Sequence, residues 1–415
     1  MTFRETVPTK RITGARVENR WERRDGEPTV RAGKGLQWMA RYIGSDGEEH
    51  SKSFRLKKDA TAWLKEQDAA VTRGEWVDPA KSAATVGEVA KAWLAGNASK
   101  TASTADSYKA VWTRHVEPRW GKVALKDVVH DEIVAWVGGL TDGTAETTDG
   151  LSASSVRHCH AVLHQILALA VRSKRLRTNP AKEVPLPEMA PAEKVFLDAA
   201  QIERLARAAD WRAHTAAQRM KAGKAAPDLK GGIPAAPSSA HGLALRLLGQ
   251  CGLRFGELAG LRVSRVEFDA GELVIDTAVS EVGGKLVVGR PKNKKTRRVF
   301  IPSRLEQPLK ELCAGRDTGE FVFTTATGTP LRRNNFAKRV LAPAAELAGV
   351  DSAVTLHSLR HSFASVLRTN GEDLKQIQEW MGHHSIKLTG DLYGHIYPAA
   401  RRQSRSALDA AFGTD

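Results

Sequence analysis

The residues of this chain that could do chemistry lie in its C-terminal half, and a tyrosine is the most informative of them. The segment "DLYGHIYP" (391–398) holds two of the four tyrosines, Tyr393 and Tyr397. A tyrosine hydroxyl can act as a nucleophile and form a covalent intermediate, provided that its proton is removed. Tyr397 precedes a proline, which disfavours helix there and favours a packing role. One of these two tyrosines is therefore a candidate reagent.

Two segments place an arginine three residues from a second polar group. "CGLRFGELAGL" contains Arg254 and Glu257, and "TLHSLRHSFASVL" contains His357 and Arg360. Residues three apart share one face of a helix. Each pair alone could be an ordinary surface or packing pair, and an exposed ion pair contributes only about 0–1 kcal/mol. The apolar residues around Arg254 indicate instead that it is partly buried and needs a partner.

A basic stretch and a histidine pair complete the set. "GRPKNKKTRRVFIP" (289–302) places Lys292, Lys294 and Lys295 between strand-like segments, which predicts a cationic hairpin. His383 and His384 invite a metal interpretation. However, no carboxylate follows at HExxH spacing and no cysteine is near, so we expect no metal site and no cofactor.

Together these residue types suit phosphoryl transfer without a metal. Arginines bind phosphate oxygens through paired hydrogen bonds. Histidine and lysine move protons, and tyrosine attacks. The chain has 63 Lys plus Arg against 47 Asp plus Glu, a net charge of +16. That excess favours a nucleic acid as the partner, because phosphate neutralisation supplies most nonspecific affinity.

The remaining composition limits the class of protein. Three dispersed cysteines favour a reducing compartment. We identify no signal peptide and no apolar run of the roughly 18 residues that a membrane span needs. The expected location is the cytoplasm, with no membrane partner.

The elements that must position these residues fall into three predicted domains. Residues 1–79 are expected to contain a flexible N-terminus of about 30 residues, then a short sheet and one helix ending at Gly74. Residues 86–181 show helical spacing throughout. Residues 195–415 are mostly helical, with strands at "GELVID", "KLVVG" and "RRVFIP" and an exposed insertion at 219–242. The fold class is multidomain, mainly α with small β-sheets.

The ordered set of motifs resembles the tyrosine recombinases, specifically the phage-type integrases. "GLRFGELAGLR" is similar to the first-arginine helix, "PKNKKTRRVFIP" to the β-hairpin with the lysine, and "LHSLRHSFAS" to the His-x-x-Arg box. "MGHHSIKLTGDLYGH" is similar to the Gly-His box followed by the nucleophile. Upstream, residues 1–79 resemble an arm-type DNA-binding domain and 86–181 a helical core-binding domain.

This resemblance implies a role for each residue of the set. The catalytic residues would be Arg254, Lys292, His357, Arg360, His383 and Tyr393, with Glu257 in support. Lys292 takes the lysine position, although Lys294 and Lys295 stand close by. Two departures from the pattern are Ser358 and Arg265, which stand where many members have Asp.

The resemblance also implies partners and a reaction. The expected partners are double-stranded DNA with core-type and arm-type attachment sites, three further copies in a homotetramer, an accessory DNA-bending protein and an excision factor. The expected activity is integration and excision of a phage or other mobile element through a 3′-phosphotyrosine. The alternatives are a catalytically silent DNA-binding protein, a type IB topoisomerase-like enzyme and a chromosome-dimer resolvase.

Overall fold

The computed structural model describes residues 11–23, 25–44, 47–77, 79–97, 100–144, 150–189, 195–222, 233–292 and 295–382. The chain divides into two compact units, Met1–Ala190 and Pro191–Asp415. The prediction of three domains is finer than this division. Within the first unit, two separate buried clusters correspond in position to the predicted sheet domain and helical domain.

The first unit opens with a three-stranded antiparallel sheet in the order β1 (Thr13–Asn19), β2 (Trp38–Ile43), β3 (Glu49–Phe54). Helix α1 (Lys57–Thr72) packs on it. Ala40 and Tyr42 are fully buried, as the alternation of β2 predicts. Trp76 donates its indole N–H to the Tyr42 hydroxyl at 2.8 Å, so the buried hydroxyl is satisfied.

Strand β1 corrects the expectation of a flexible N-terminus. Thr13–Asn19 pairs with β2 and therefore belongs to the sheet, whereas residues 1–10 lie outside the described part. The strand has no buried residue. Its sequence likewise lacks the alternation of apolar and polar residues by which a strand is recognised, so the strand was not predicted.

The rest of the first unit is helical, as predicted. Helices α3 (Val86–Gly96) and α7 (Ala153–Arg172) contribute much of a core that also contains Trp112, Trp120 and Trp136. Helix α3 begins with a capping box in which Thr85 and Glu88 each accept a backbone N–H of the other. The helices are α2 (Pro79–Ser82), α3 (Val86–Gly96), α4 (Ala102–Val111), α5 (Glu117–Trp120), α6 (His130–Asp142) and α7 (Ala153–Arg172).

The second unit has its own core, in which helix α9 (Ala240–Gln250) is buried along most of its length. Its helices are α8 (Ala199–Ala222), α9 (Ala240–Gln250), α10 (Phe255–Ala259), α11 (Ser303–Cys313), α12 (Arg333–Phe336), α13 (Ala342–Ala348), α14 (Leu356–Thr369) and α15 (Leu374–Met381). Its strands are β4 (Val266–Glu267), β5 (Glu272–Ile275), β6 (Ala278–Val282), β7 (Lys285–Gly289) and β8 (Arg297–Phe300).

The sheet topology corrects the predicted cationic hairpin. Strand β7 pairs with β6, and β8 pairs with β5 in a second sheet of order β4-β5-β8. The basic stretch thus connects two sheets rather than two paired strands.

The expectation for the insertion at 219–242 is also partly wrong, because α8 continues to Ala222 and α9 begins at Ala240.

The helices of the described segments include none that is both long enough and apolar enough to cross a membrane.

Candidate active site

Helix α10 is short, and its first turn is organised around a buried carboxylate. Arg254 is the residue that caps the helix, and Glu257 follows three residues later. One Glu257 oxygen accepts the backbone N–H of Arg254 at 2.8 Å, and the other accepts its guanidinium at 2.9 Å. The Glu257 side chain is only 1% exposed and that of Arg254 is 28% exposed. The predicted pair is therefore present, with the arginine facing partly outward.

A third residue, Arg297 at the start of β8, completes this ion-pair network. It donates from both terminal nitrogens to Glu257, at 2.8 and 2.7 Å. Burial raises the pKa of Glu257, but the hydrogen bonds and charge of Arg297, together with the charges of Arg360 and Arg254, lower it overall to about 2. Glu257 is therefore ionised at every physiological pH.

Arg360 lies on the buried side of helix α14. Its guanidinium donates to the carbonyl groups of Gly252 and Met381, and its Nη1 lies 4.0 Å from Glu257. Gly252 has a φ of +63°, and a Cβ there would approach Phe363 to 2.4 Å, so only glycine fits this turn.

Ser358, the departure from the family pattern, has a structural role at the start of α14. It forms a reciprocal capping box with Thr355: the Ser358 N–H donates to Oγ1 at 3.0 Å, and the Thr355 N–H donates to Oγ at 3.1 Å. The box fixes the first turn of the helix that carries His357 and Arg360. The second departure, Arg265, pairs with Asp276 at 2.7 Å.

A cavity of about 390 Å³ opens where helices α10, α12 and α14 begin. It is lined by two arginines, a histidine and three other residues: Arg254, Phe255, Gly256, Arg333, Leu356 and His357. Burial, and then the positive charges of Arg360, Arg254 and Arg333, lower the pKa of His357. A neutral imidazole beside a guanidinium-lined cavity can accept a proton while the arginines bind an anion.

The structure brings four of the predicted residues together, namely Arg254, Glu257, His357 and Arg360. Lys292 lies in an exposed turn after β7, Lys295 is exposed, and Lys294 lies outside the described residues. His383, Tyr393, Tyr397 and the tail 401–415 also lie outside them. The roles expected for these residues remain predictions.

Two arginines of the site were not identified from the sequence. Arg297 was one cation within a basic stretch, and its partner Glu257 precedes it by 40 residues. Arg333 was not singled out at all. No local spacing marks either residue, because each reaches the site through tertiary structure.

Known proteins resemble this chain over the region that holds the cavity. Residues 227–399 match the model of the phage integrase family. The ICEBs1 integrase of Bacillus subtilis is 31% identical over 173 residues, which are 38% of this chain and 45% of that protein. The integrase of Mycobacterium phage D29 is 24% identical over 385 residues, 88% of this chain and 92% of that protein. The relatives that reach 30% identity, such as the ICEBs1 integrase, are thus matched over about half of their own length.

Solved structures share the fold at low sequence identity. An integrase of the Tn1549 transposon, in complex with a circular intermediate DNA, has a TM-score of 0.61 at 19% identity, covering 78% of this chain and 99% of that one. A lambda integrase dimer bound to a COC′ core site has a TM-score of 0.53 at 16% identity, covering 95% and 96%. A lambda integrase tetramer bound to a Holliday junction has a TM-score of 0.51 at 16% identity, covering 88% and 96%.

The expected resemblance is therefore confirmed in two ways. A family model matches residues 227–399, and the relatives include integrases and XerC- and XerD-type tyrosine recombinases. Residues 227–399 thus match the phage integrase family, and the chain resembles the phage-type tyrosine recombinases.

Proposed function

We propose that this chain is a site-specific DNA recombinase that cuts and rejoins duplex DNA at attachment sites through a 3′-phosphotyrosine. It integrates a phage or other mobile element and also excises it. The observation that carries the proposal is that Arg254 and Arg360 meet at one carboxylate, while Arg254 and His357 line one cavity, inside the region matched by the family model.

The proposed chemistry assigns each group a step that its surroundings support. Tyr393 attacks the scissile phosphate, and its oxygen–phosphorus bond replaces the bond to the 5′-oxygen. A free tyrosine has a pKa of about 10, so a base is needed at neutral pH. His357, whose pKa is lowered, accepts that proton in its neutral form.

The remaining groups stabilise charge and release the leaving strand. Arg254 and Arg360 neutralise the charge that develops on the nonbridging oxygens. Lys292 donates a proton to the leaving 5′-oxygen, and His383 donates a hydrogen bond to the phosphate. The free 5′-hydroxyl of the partner strand then attacks the phosphotyrosine, which reverses the chemistry and conserves the bond energy.

The proposed partners are those that the resemblance to the family implies. The first unit and the catalytic unit bind core and arm sites on double-stranded DNA, and four copies assemble on two sites. A DNA-bending protein and an excision factor assist. The net charge of +16 supports a polyanionic partner, and related integrases occur in structures with DNA as dimers and tetramers. The site of action is the cytoplasm of a bacterial host.

The test is formation of a covalent protein–DNA adduct on a nicked suicide duplex that carries a candidate core site. The wild type should form the adduct in EDTA, and Tyr393→Phe should form none while binding the duplex as tightly. Tyr397→Phe is the matched control and should retain cleavage. An adduct that persists in Tyr393→Phe, or that requires a divalent metal, contradicts the assignment.

A second measurement separates recombination from topoisomerase activity. The wild type should join two candidate attachment sites and leave supercoiled plasmids without such sites largely unrelaxed. Efficient relaxation of those plasmids would instead favour the type IB topoisomerase-like alternative. Binding without any adduct would favour the catalytically silent protein.

A further inference from the structure

Three arginines converge on the end of helix α15. Each donates a hydrogen bond to a different carbonyl group in a run of three consecutive residues: Arg297 Nε to Trp380 (2.8 Å), Arg360 Nη2 to Met381, and Arg254 Nη2 to Gly382 (3.2 Å). The last carbonyl groups of a helix lack partners within the helix and carry a partial negative charge. Guanidinium groups are suited to such an end because they supply several donors and a positive charge.

One carboxylate holds the same three arginines. Glu257 accepts two hydrogen bonds from Arg297 and one from the side chain of Arg254, and it lies 4.0 Å from Arg360. These cations come from three different elements, since Arg254 caps α10, Arg297 begins β8, and Arg360 lies in α14. The carboxylate and the helix end are thus two fixed points between which the guanidinium groups are held.

Arg297 differs from Arg254 in that it does not line the cavity. Its side chain is 8% exposed, against 28% for Arg254. Nε donates to the Trp380 carbonyl, while Nη1 and Nη2 donate to the two oxygens of Glu257. A guanidinium held in this way is unsuited to bind DNA, and its charge acts on the site through Glu257.

We infer that Arg297 is a positioning residue that fixes Glu257, and through it Arg254 and Arg360, against the end of helix α15. This inference rests on the proposed function. Helix α15 ends just before His383 and the segment that carries Tyr393. The phosphate-binding arginines and the end of helix α15 are therefore held by the same carboxylate, and Arg297 sets the geometry of both.

The experiment compares Arg297→Met and Arg297→Lys with Arg298→Met. Arg298 is the next residue of the same strand, is 53% exposed and pairs with Glu267 and Glu272, so it is a matched control outside the site. A misplacement of about 1 Å in a catalytic group can lower a rate by about 100-fold. Arg297→Met should therefore slow adduct formation on the suicide duplex by about 10- to 100-fold at saturating DNA.

Two further readouts separate positioning from a general structural role. The Kd for the core duplex should change by less than about threefold, because Arg254 and Arg360 remain, whereas loss of folded protein would lower binding and rate together. Arg297→Lys keeps the charge but cannot form the paired hydrogen bonds, so it should recover part of the rate. Arg298→Met should match the wild type in both measurements.

The pH profile gives a signature that a passive ion pair would not produce. Among the described residues, three charged groups face Glu257, namely Arg254, Arg297 and Arg360. Burial is the largest influence on the pKa of Glu257 and Arg297 the largest that opposes it, so removal of Arg297 raises that pKa. Glu257 should then take up a proton within the working range. The rate of Arg297→Met relative to the wild type should fall as the pH is lowered from about 8 to about 5.5.

The outcomes are distinguishable. A wild type that forms no adduct contradicts the proposed function itself. Active wild type with equally active Arg297→Met and Arg297→Lys overturns the inference alone. A folded Arg297→Met protein whose rate is reduced by the same factor at every pH also overturns the inference. If Arg297→Met does not fold, Arg297→Lys decides the question by its rate and Kd.

Discussion

Arg254 donates a hydrogen bond to the carbonyl of Gly382 across 3.2 Å, although 128 residues separate the two in the chain. Gly382 ends helix α15 in the left-handed conformation, with φ +61° and ψ +46°. This geometry turns the carbonyl toward the arginine at the edge of the cavity. The first-arginine motif and the Gly-His motif, which the sequence offers as separate patterns, are thus joined by a direct bond.

Substitution of Gly382 by Ala should weaken both folding and cleavage. A side chain in the left-handed region costs about 1–2 kcal/mol, and relaxation would turn the carbonyl away from Arg254. We expect the free energy of unfolding to fall by about 1–2 kcal/mol. The rate of adduct formation should fall by more than the loss of folded protein explains. Denaturant unfolding and the suicide duplex measure the two effects.

Gly349 provides the control for this substitution. It ends helix α13 in the same left-handed conformation, with φ +59° and ψ +35°, and a Cβ there meets nothing within 4 Å. Gly349→Ala should therefore lower stability to a similar degree and leave the adduct rate of the folded protein unchanged. Equal loss of cleavage in both variants would mean that the Gly382 carbonyl has no special role.

The sequence predicted those parts of the site that local spacing encodes. Arg254 with Glu257 and His357 with Arg360 are pairs spaced three residues apart, and the structure brings these four residues close together, while their roles stay predictions. Arg297 was not identified, because its partner lies on another element. The prediction of a hairpin was wrong for a related reason. Strands β7 and β8 have five and four residues, and such short sequences do not specify which strand each one pairs with.

Glu257→Gln should destabilise the protein in a pH-dependent way. The folded-state pKa of Glu257 is about 2, below its ordinary value of 4.5, so its charge stabilises the fold fully above pH 4.5. That stabilisation is lost as the pH falls from about 4.5 toward 2. A shift of this size corresponds to about 3 kcal/mol at neutral pH, the scale found when a buried ion pair loses one partner.

The measurement is the difference in unfolding free energy between wild type and Glu257→Gln at several pH values. We expect about 3 kcal/mol at pH 7 and a progressive decrease below pH 4.5. The control is Glu267→Gln, because Glu267 pairs with Arg298 at the surface and is 38% exposed. A difference for Glu257→Gln that is constant from pH 7 to pH 3 would contradict the linkage.

Arg333→Gln should move the acidic limb of the cleavage profile to higher pH. Burial and the charges of Arg360, Arg254 and Arg333 lower the pKa of His357, which keeps the imidazole neutral and able to accept a proton. Removal of one of these cations makes protonation easier and raises that pKa toward 6.5. Single-turnover adduct formation, followed from about pH 5 to 8 at saturating DNA, measures the shift.

The control for Arg333 is the neighbouring Arg339, which is exposed in the same region and does not line the cavity. Arg339→Gln removes the same charge from the protein and should leave the midpoint of the limb unchanged. A limb that moves equally in both variants would reflect net charge rather than the local field at His357. A limb that does not move in Arg333→Gln would mean that His357 is not the group being titrated.

Asp210 should stabilise the catalytic unit without taking part in cleavage. It accepts the backbone N–H and the hydroxyl of Ser239 at 2.7 and 2.8 Å, and its other oxygen pairs with Arg246 at 2.7 Å. The Asp210 side chain is 3% exposed, and Ser239 caps helix α9. Asp210→Ala leaves a buried guanidinium with Glu203 as its remaining carboxylate partner among the described residues, and we expect a loss of about 3–5 kcal/mol in the free energy of unfolding.

Glu203→Ala is the matched variant, because Glu203 binds the same guanidinium from a position that is 31% exposed. It should cost less, about 1–2 kcal/mol, since water replaces part of the interaction. Both variants should form the covalent adduct at the wild-type rate at temperatures where they are folded. A selective loss of cleavage in folded Asp210→Ala would instead mean that the start of helix α9 influences the cavity. The residues that line the cavity follow the other end of that helix in the chain.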